Sequence, residues 1–193
     1  MMRIVLASNN RHKLREIRAM MPAGIELINQ ETLGIDPAEE TGLTFVENAL
    51  LKARHASRQS GLPAIADDSG LEVEALEGRP GIYSSRYAGP DATDGDNNRK
   101  LLTEMDLIDC RSARYQCVIV YLGHALDPAP IIAHGAWAGE IVREPQGQSG
   151  FGYDPLFLIP DIGKTAAQLT SDRKNQLSHR AKALNRFVVQ FNA

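Results

Sequence analysis

Cysteine is almost missing from this chain: Cys110 and Cys117 are the only two among 193 residues. They form no CxxC pair, so neither a disulfide framework nor a zinc site with its several soft ligands is expected. Both read as reduced, structural thiols of an intracellular protein. Long hydrophobic runs are also lacking. None approaches the ~20 apolar residues that a membrane span requires. The opening Met1-Met2-Arg3-Ile4-Val5-Leu6 is too short in apolar length for a signal peptide. The cytoplasm is the expected compartment. Positive charge is not in excess: the net charge is −3, which gives no global basic field for nucleic acid. Local cations are left free to hold phosphates.

The common nucleotide and hydrolase fingerprints are absent too. No GxxxxGK[ST] occurs, which excludes a Walker-type phosphate loop at the level of motif. Gly147, Gly150 and Gly152 are spaced GxxGxG rather than GxGxxG. There is no GxSxG elbow and no HExxH zinc helix, so acyl-transfer and zinc-hydrolase chemistry lose their main supports.

What is there is ordinary soluble composition, 43% hydrophobic and 23% charged, in a chain whose residues 1–193 fit one domain, or one domain with two lobes. No repeat, low-complexity tract or linker interrupts it. Arg3 to Ser8 reads as a strand, broken by Ser8-Asn9-Asn10. A helix follows over Arg11 to Met21, with Leu14, Ile17 and Met21 at helical spacing. Ile25 to Ile28 is a second strand. Thr44-Phe45-Val46-Glu47 matches a capping box. It opens a helix striped by Phe45, Ala49, Ala53 and Ala56 and closed near Ser60-Gly61. Pro63 to Ala66 reads as a buried strand, and Leu71 to Leu76 as a separate half-exposed one. Gly89 to Gly95 reads as a loop, and Asn97 to Met105 as a short helix. Ala113 to Leu122 is the strongest strand, expected to pair with Ile131 to Ala136 and to extend through Glu140 to Arg143. Leu156 to Ile159 is a further buried strand. An amphipathic helix carrying Ala181, Leu184, Val188 and Phe191 ends the pattern.

Polar clusters gather at the ends of these elements. Ala66-Asp67-Asp68-Ser69-Gly70 places two carboxylates at the end of an apolar run. Neighbours on a strand point to opposite faces, so the two acids have different jobs. The pair suits a hard, oxygen-loving cation such as Mg²⁺, while an Asp-Asp-Ser-Gly turn accounts for the same residue types. Ser8 to Lys13 offers a hydroxyl, amides, helix-start donors and a lysine, which suits a polyphosphate or simply a turn entering a helix. Glu39-Glu40 precedes a helix, where acids also offset the macrodipole. Phe151-Gly152-Tyr153-Asp154 offers a flat face for a base, or a tight turn with an anchored aromatic. Lys174, Ser178, His179 and Arg180 stand near the last helix, as a grip on phosphate or a base carbonyl or as a solvated start.

Taken together, acids for a metal, cations for phosphates and a glycine–aromatic platform make a nucleoside triphosphate site. The chain closely resembles the inosine triphosphate pyrophosphatase family. The resemblance rests on Leu6-Ala7-Ser8-Asn9-Asn10 with Lys13, Glu39-Glu40-Thr41-Gly42-Leu43-Thr44-Phe45 and Ala66-Asp67-Asp68-Ser69-Gly70-Leu71. It continues through Pro80 to Tyr87, Gly150 to Pro155 and Ser178-His179-Arg180. It implies an elongated α/β protein, a mixed twisted sheet flanked by helices, with two lobes and a central substrate cleft. It implies a homodimer that hydrolyses ITP, dITP or XTP to the monophosphate and pyrophosphate with Mg²⁺, for which Mn²⁺ could substitute. Such an enzyme keeps deaminated purines out of DNA and RNA.

Carried over by residue, Asp68 is the implied catalytic acid/base and a metal ligand, with Glu39 the second metal ligand and Glu40 in reserve. Ser8, Asn9, Asn10, Arg11, His12, Lys13 and Lys52 are implied for the triphosphate and Ser69 for a further substrate contact. Phe151, Gly152, Tyr153 and Asp154 are implied to frame the base, completed by Lys174, His179 and Arg180. The first loop departs from the family pattern, with Asn9 for a glycine and His12 for a small or basic residue; Asn tolerates left-handed backbone, so the loop is still expected to form. Two other readings stay open: a pyrophosphatase of related fold acting on pyrimidine or modified nucleotides, and a nucleotide sensor without catalysis.

Overall fold

A computed structural model describes residues 1–192. The strands are β1 (Met2–Leu6), β2 (Ile25–Asn29), β3 (Ala64–Val73), β4 (Ser112–Leu122), β5 (Ile131–Ile141), β6 (Phe157–Ile159) and β7 (Lys164–Thr165). The helices are α1 (Arg11–Met20), α2 (Phe45–Ser60), α3 (Asp94–Glu104), α4 (Ser171–Leu177) and α5 (His179–Phe191). The strands join in one mixed, twisted α/β sheet in the order β2-β1-β3-β4-β5-β6-β7. β1 runs parallel to β2 and β3, whereas β5–β6 and β6–β7 are antiparallel.

The chain divides into two compact units. The first comprises 1–68, 117–135 and 180 to the end; the second comprises 69–116 and 136–179. In the first, strand alternation splits the core cleanly. Ile4, Leu6, Ile65, Cys117 and Ile119 face α1 and α5, meeting Leu14, Ile17, Leu184 and Phe187. Val5, Ala7, Ala64, Ala66, Val118 and Val120 face the other way, onto Ala49, Ala53 and Ala56 of α2. That stripe of alanines carries no side chain long enough to hold the helix off the sheet. The stop of α2 is as the sequence predicts: Gly61 takes φ 69° and donates its N–H to Ser57 O at 2.9 Å. The second unit gathers Leu71, Val73, Leu101, Met105, Tyr115, Trp137, Leu156 and Phe157 into one core.

The structure differs from the sequence reading at several points. Asp67 to Gly70 is not a turn between two strands but part of one continuous strand, β3. β1 pairs with β3 only at Ala64 and Ile65, so it is the long neighbouring strand β4 that carries β3 on through Asp-Asp-Ser-Gly against its turn preference. β5 is likewise unbroken through Gly135 to Gly139. α3 begins at Asp94 rather than Asn97, because Thr93 and Asp96 form a reciprocal capping box. α4, β7 and the short 3₁₀ turns lie outside what periodicity detects. Asn9 does not adopt a left-handed backbone: among the described residues only Glu77 and Leu107 have positive φ without being glycine. Instead the Asn9 Oδ1 accepts a hydrogen bond from buried Gln30 at 2.9 Å, and Asn10 caps α1 by accepting from His12 N and Lys13 N. Cys117 is fully buried, which pushes its thiol up to about 12, whereas Cys110 is exposed.

Gly139 in β5 lies against β6. A Cβ there would strike the Leu158 carbonyl oxygen and come within 2.6 Å of the Phe157 ring. Gly139→Ala should therefore destabilise the fold by about 1–3 kcal/mol, read as a lower urea midpoint with an unchanged slope. An unchanged midpoint would mean that the β5–β6 backbone yields at no cost.

Candidate active site

β3 sends its two acids to opposite sides of the sheet. Asp67 shares the face of Ile65, and so meets α1 and α5. Its Oδ2 lies 3.1 Å from Lys13 Nζ and accepts from Arg180 at 3.1 and 3.3 Å. Arg180 is 1% exposed and also donates to Glu16. Burial opposes ionisation of Asp67 most strongly, but Lys13, Arg180 and Lys52 together outweigh it, and its carboxyl stays well below the usual range. The same pairing holds Arg180 charged against its own burial.

Asp68 shares the face of Ala66, and so meets α2. Its Oδ1 accepts from Lys52 Nζ at 2.8 Å, while Lys52 also donates to Glu40 at 2.9 Å. Its Oδ2 is buried and takes no hydrogen bond. Burial holds the Asp68 carboxyl above its ordinary value against the pull of Lys52. Lys52 in turn is kept charged: Asp68, Asp67 and Glu40 outweigh the larger single effect of burial. The acidic loop is tied to α2, since Gly42 N donates to buried Asn48 at 2.8 Å and Leu43 N to Glu47 at 2.8 Å. Thr44 caps α2 by accepting from Glu47 N at 3.3 Å. Glu39 on this loop is exposed; Glu40 is the acid drawn to Lys52.

Ser8 Oγ accepts from Asn10 N at 3.2 Å, so the turn before α1 is braced by its own side chains. Asn9, Asn10, Arg11 and His12 are exposed, and Arg15 contacts His12 Nδ1 at 2.8 Å. The first unit thus brings together Lys13, Asp67 and Arg180 on one face and Glu40, Lys52 and Asp68 on the other.

The second unit holds the remaining candidates. Asp154 is buried and organises them. Its Oδ2 accepts from Phe151 N at 2.9 Å and from Lys174 Nζ at 2.6 Å, and Tyr115 donates to Oδ1 at 3.4 Å. Lys174 also sits 4.6 Å from the centre of the Phe151 ring. His179 stacks on Tyr115, with ring centres 4.6 Å apart and planes 11° apart. Tyr153 is buried and donates to Ser84 O at 2.8 Å. Gly152, at φ 62°, has both sides of its backbone held by α3: its N–H by Asp94 at 2.6 Å and its carbonyl by Asn98 at 3.0 Å. Ser69 is half-buried in β3. Sequence reading missed Tyr115, Asp94, Asn98 and Glu16. Tyr115 was hidden inside a strand that read as core. Asp94 fell in a segment read as loop, and the reach of Asn98 and Glu16 depends on tertiary packing.

Removing the charge of Asp67 takes one anion from buried Arg180 and from partly exposed Lys13, so Asp67→Asn should cost about 3–5 kcal/mol at neutral pH. The folded pKa of Asp67 lies below its unfolded value, about 3.9. Its contribution is therefore complete above that value and lost as pH falls through the folded one. Thermal melts from pH 7 down to pH 2 should show the wild type losing this increment below about pH 4 and the variant lacking it. Superimposable profiles would remove Asp67 from the account of stability.

Comparison with known proteins places these residues in a wider frame. The Ham1 family profile matches residues 4–190. The dITP/XTP pyrophosphatases of Shigella flexneri and of Escherichia coli strain K12 are each 56% identical over 187 residues, 95% of this chain and 95% of theirs. A HAM1 protein structure from Coxiella burnetii superposes with TM-score 0.93 at 49% identity, covering 100% of both chains. The Staphylococcus aureus Ham1 structure gives TM-score 0.88 at 41% identity, over 99% of this chain and 100% of that one. With nearly every residue of both units inside the match, the chain belongs to the Ham1 family.

Proposed function

We propose that this protein is a nucleoside triphosphate pyrophosphatase that hydrolyses deaminated purine nucleotides, ITP, dITP and XTP, to the monophosphate and pyrophosphate. Clearing them keeps these bases out of DNA and RNA. The observation that carries the reading is Asp68: a buried carboxylate held on one oxygen by Lys52, bare on the other, and raised in basicity by burial. The relatives' activity on dITP and XTP supplies the substrate class.

The donor chemistry suits Mg²⁺. A hard cation of this kind takes one or two carboxylates and completes its shell with water and substrate phosphates, so it does not need a cage of protein ligands. Asp68 offers a bare buried oxygen, and Glu39 or Glu40 a second carboxylate from the neighbouring loop. Mg²⁺ there supplies charge neutralisation for the triphosphate, and Mn²⁺, which accepts the same ligands, can replace it.

The chain's own residues do the rest. Asp68 accepts the proton of a water attacking the α-phosphorus. Lys52 keeps Asp68 oriented. Ser8, Asn9, Asn10, Arg11, His12 and Lys13 hold the triphosphate, with Lys13 moving between Asp67 and a phosphate oxygen. Ser69 adds a further contact. Phe151 to Asp154 frame the base, and Lys174 and His179 recognise a 6-oxo group, with Arg180 acting through Asp67 to set Lys13. A site that pairs donors with that oxygen serves the adenine amino group badly, which is how strong rejection of ATP arises. Family membership supports a homodimer, and two cysteines outside any disulfide support a cytoplasmic setting. No helix among the described residues is long and apolar enough to cross a membrane.

Pyrophosphate release from ITP, XTP, GTP, ATP, dTTP and UTP, with Mg²⁺ and with chelator, tests the reading. Metal-dependent release from ITP and XTP is expected, with much lower kcat/KM for GTP and ATP. Asp68→Asn, if folded, should lose about 10²- to 10⁴-fold in kcat. Turnover mainly of UTP or dTTP, or an Asp68→Asn variant with near-normal kcat, would overturn it.

A further inference from the structure

Asn98 occupies an unfavourable place. Asparagine in the interior of a helix competes with the helical backbone and is a weaker helix former than alanine. Here its amide is committed elsewhere: Nδ2 donates to Gly152 O at 3.0 Å, and its Oδ1 is left buried with no hydrogen bond. One helical turn earlier Asp94 accepts from Gly152 N at 2.6 Å. Residues i and i+4 lie on one helix face, so α3 grips both sides of a single glycine. That glycine holds φ 62°, the left-handed region. Its neighbours are Phe151, whose N–H is held by Asp154, and Tyr153, whose hydroxyl is held by Ser84.

We infer that Asp94 and Asn98 are positioning residues for nucleobase selection, clamping Gly152 so that α3 fixes the Phe151–Asp154 loop before substrate arrives. The inference rests on the proposed reaction and adds to it a control on specificity from residues that do not themselves need to touch substrate. Each side chain restrains one half of the Gly152 backbone. Loss of either lets the Gly152 dihedrals relax and moves the Phe151 ring relative to Tyr153. Preorganisation of this kind acts on binding, since a loop already ordered loses less freedom when the ligand docks. The chemical step, centred on Asp68, stays as it is.

The test uses the full-length wild type with Asn98→Ala, Asp94→Ala and Asp94→Asn, the last keeping a carbonyl acceptor for Gly152 N–H. Amide hydrogen exchange at Gly152 is read without nucleotide, together with the melting temperature, KM, kcat and the ratio of kcat/KM for ITP over GTP. Faster exchange at Gly152 is expected in both alanine variants. KM for ITP should rise by about threefold to tenfold, the worth of one hydrogen bond, with kcat nearly constant and the ITP/GTP ratio narrowed. Asp94→Asn should recover most of each effect. Asn98→Ala should melt close to wild type, because the better helix former offsets the lost hydrogen bond, and kinetics read well below both melting temperatures keep a binding defect from being put down to unfolding. Unchanged exchange overturns the clamp. Faster exchange with unchanged KM and ITP/GTP ratio overturns the selection role. A wild type inert toward every nucleotide overturns the proposed reaction instead, and the selection role with it, while exchange still decides whether the clamp exists.

Discussion

Two carboxylates next to each other on a strand make their contacts on opposite faces, because the pleat turns them apart. That constraint organises the first unit. Asp67 goes to the α1/α5 face, where Lys13 and Arg180 both meet its Oδ2. Asp68 goes to the α2 face, where Lys52 meets only one of its oxygens. A one-residue slip of β3 would exchange the two environments and also push Ala64 and Ala66 into the space of Ile65. The apolar register and the acidic register are thus the same register. The close seat of α2 on Ala49, Ala53 and Ala56 is what brings Lys52 to Asp68.

The balance between burial and neighbouring cations gives the two acids their different characters. Asp67 lies among cations whose attraction exceeds the cost of desolvation, so it remains a fixed anion. Asp68 has one principal cation and a bare oxygen, and desolvation wins. A fixed anion suits the task of holding Lys13 and Arg180. A carboxylate of raised basicity suits proton transfer. The second unit uses a related device with Asp154. Its buried carboxylate ties Phe151 N and Lys174 together, and Tyr115 adds a hydroxyl to one oxygen and a ring for His179 to stack on.

The sequence disclosed the elements whose side chains repeat with one period, and it disclosed polar clusters by type. α2 was legible from Thr44 to Gly61 because cap, alanine stripe and stop agree. The alternation argument separated Asp67 from Asp68 before any partner was known. Other features were not legible for definite reasons. Asp67 to Gly70 has turn composition, and only the tertiary neighbour β4 keeps it strand beyond the reach of β1. Asn9 suggested a left-handed residue by its own propensity, yet its φ is not positive and its side chain accepts from Gln30, 21 positions away in sequence. Arg180 looked like a solvated or substrate-facing cation, and nothing local indicates that Asp67 and Glu16 enclose it.

The division of labour follows from these placements. Groups that must change partners during a reaction need an incomplete shell, and groups that hold them need a complete one. Asp68 Oδ2 is incomplete, whereas Asp154 and Arg180 are heavily engaged. Lys13 stands between: it is partly exposed, bonded to Asp67, and carried on the first turn of α1 whose amides Asn10 already caps. In the proposed reaction a lysine so placed would reach a phosphate by giving up one contact with an anion that keeps Arg180 as its second cation. Asp67 would then stay compensated by Arg180, which gives two cations on one buried acid a use in the proposed reaction beyond stability.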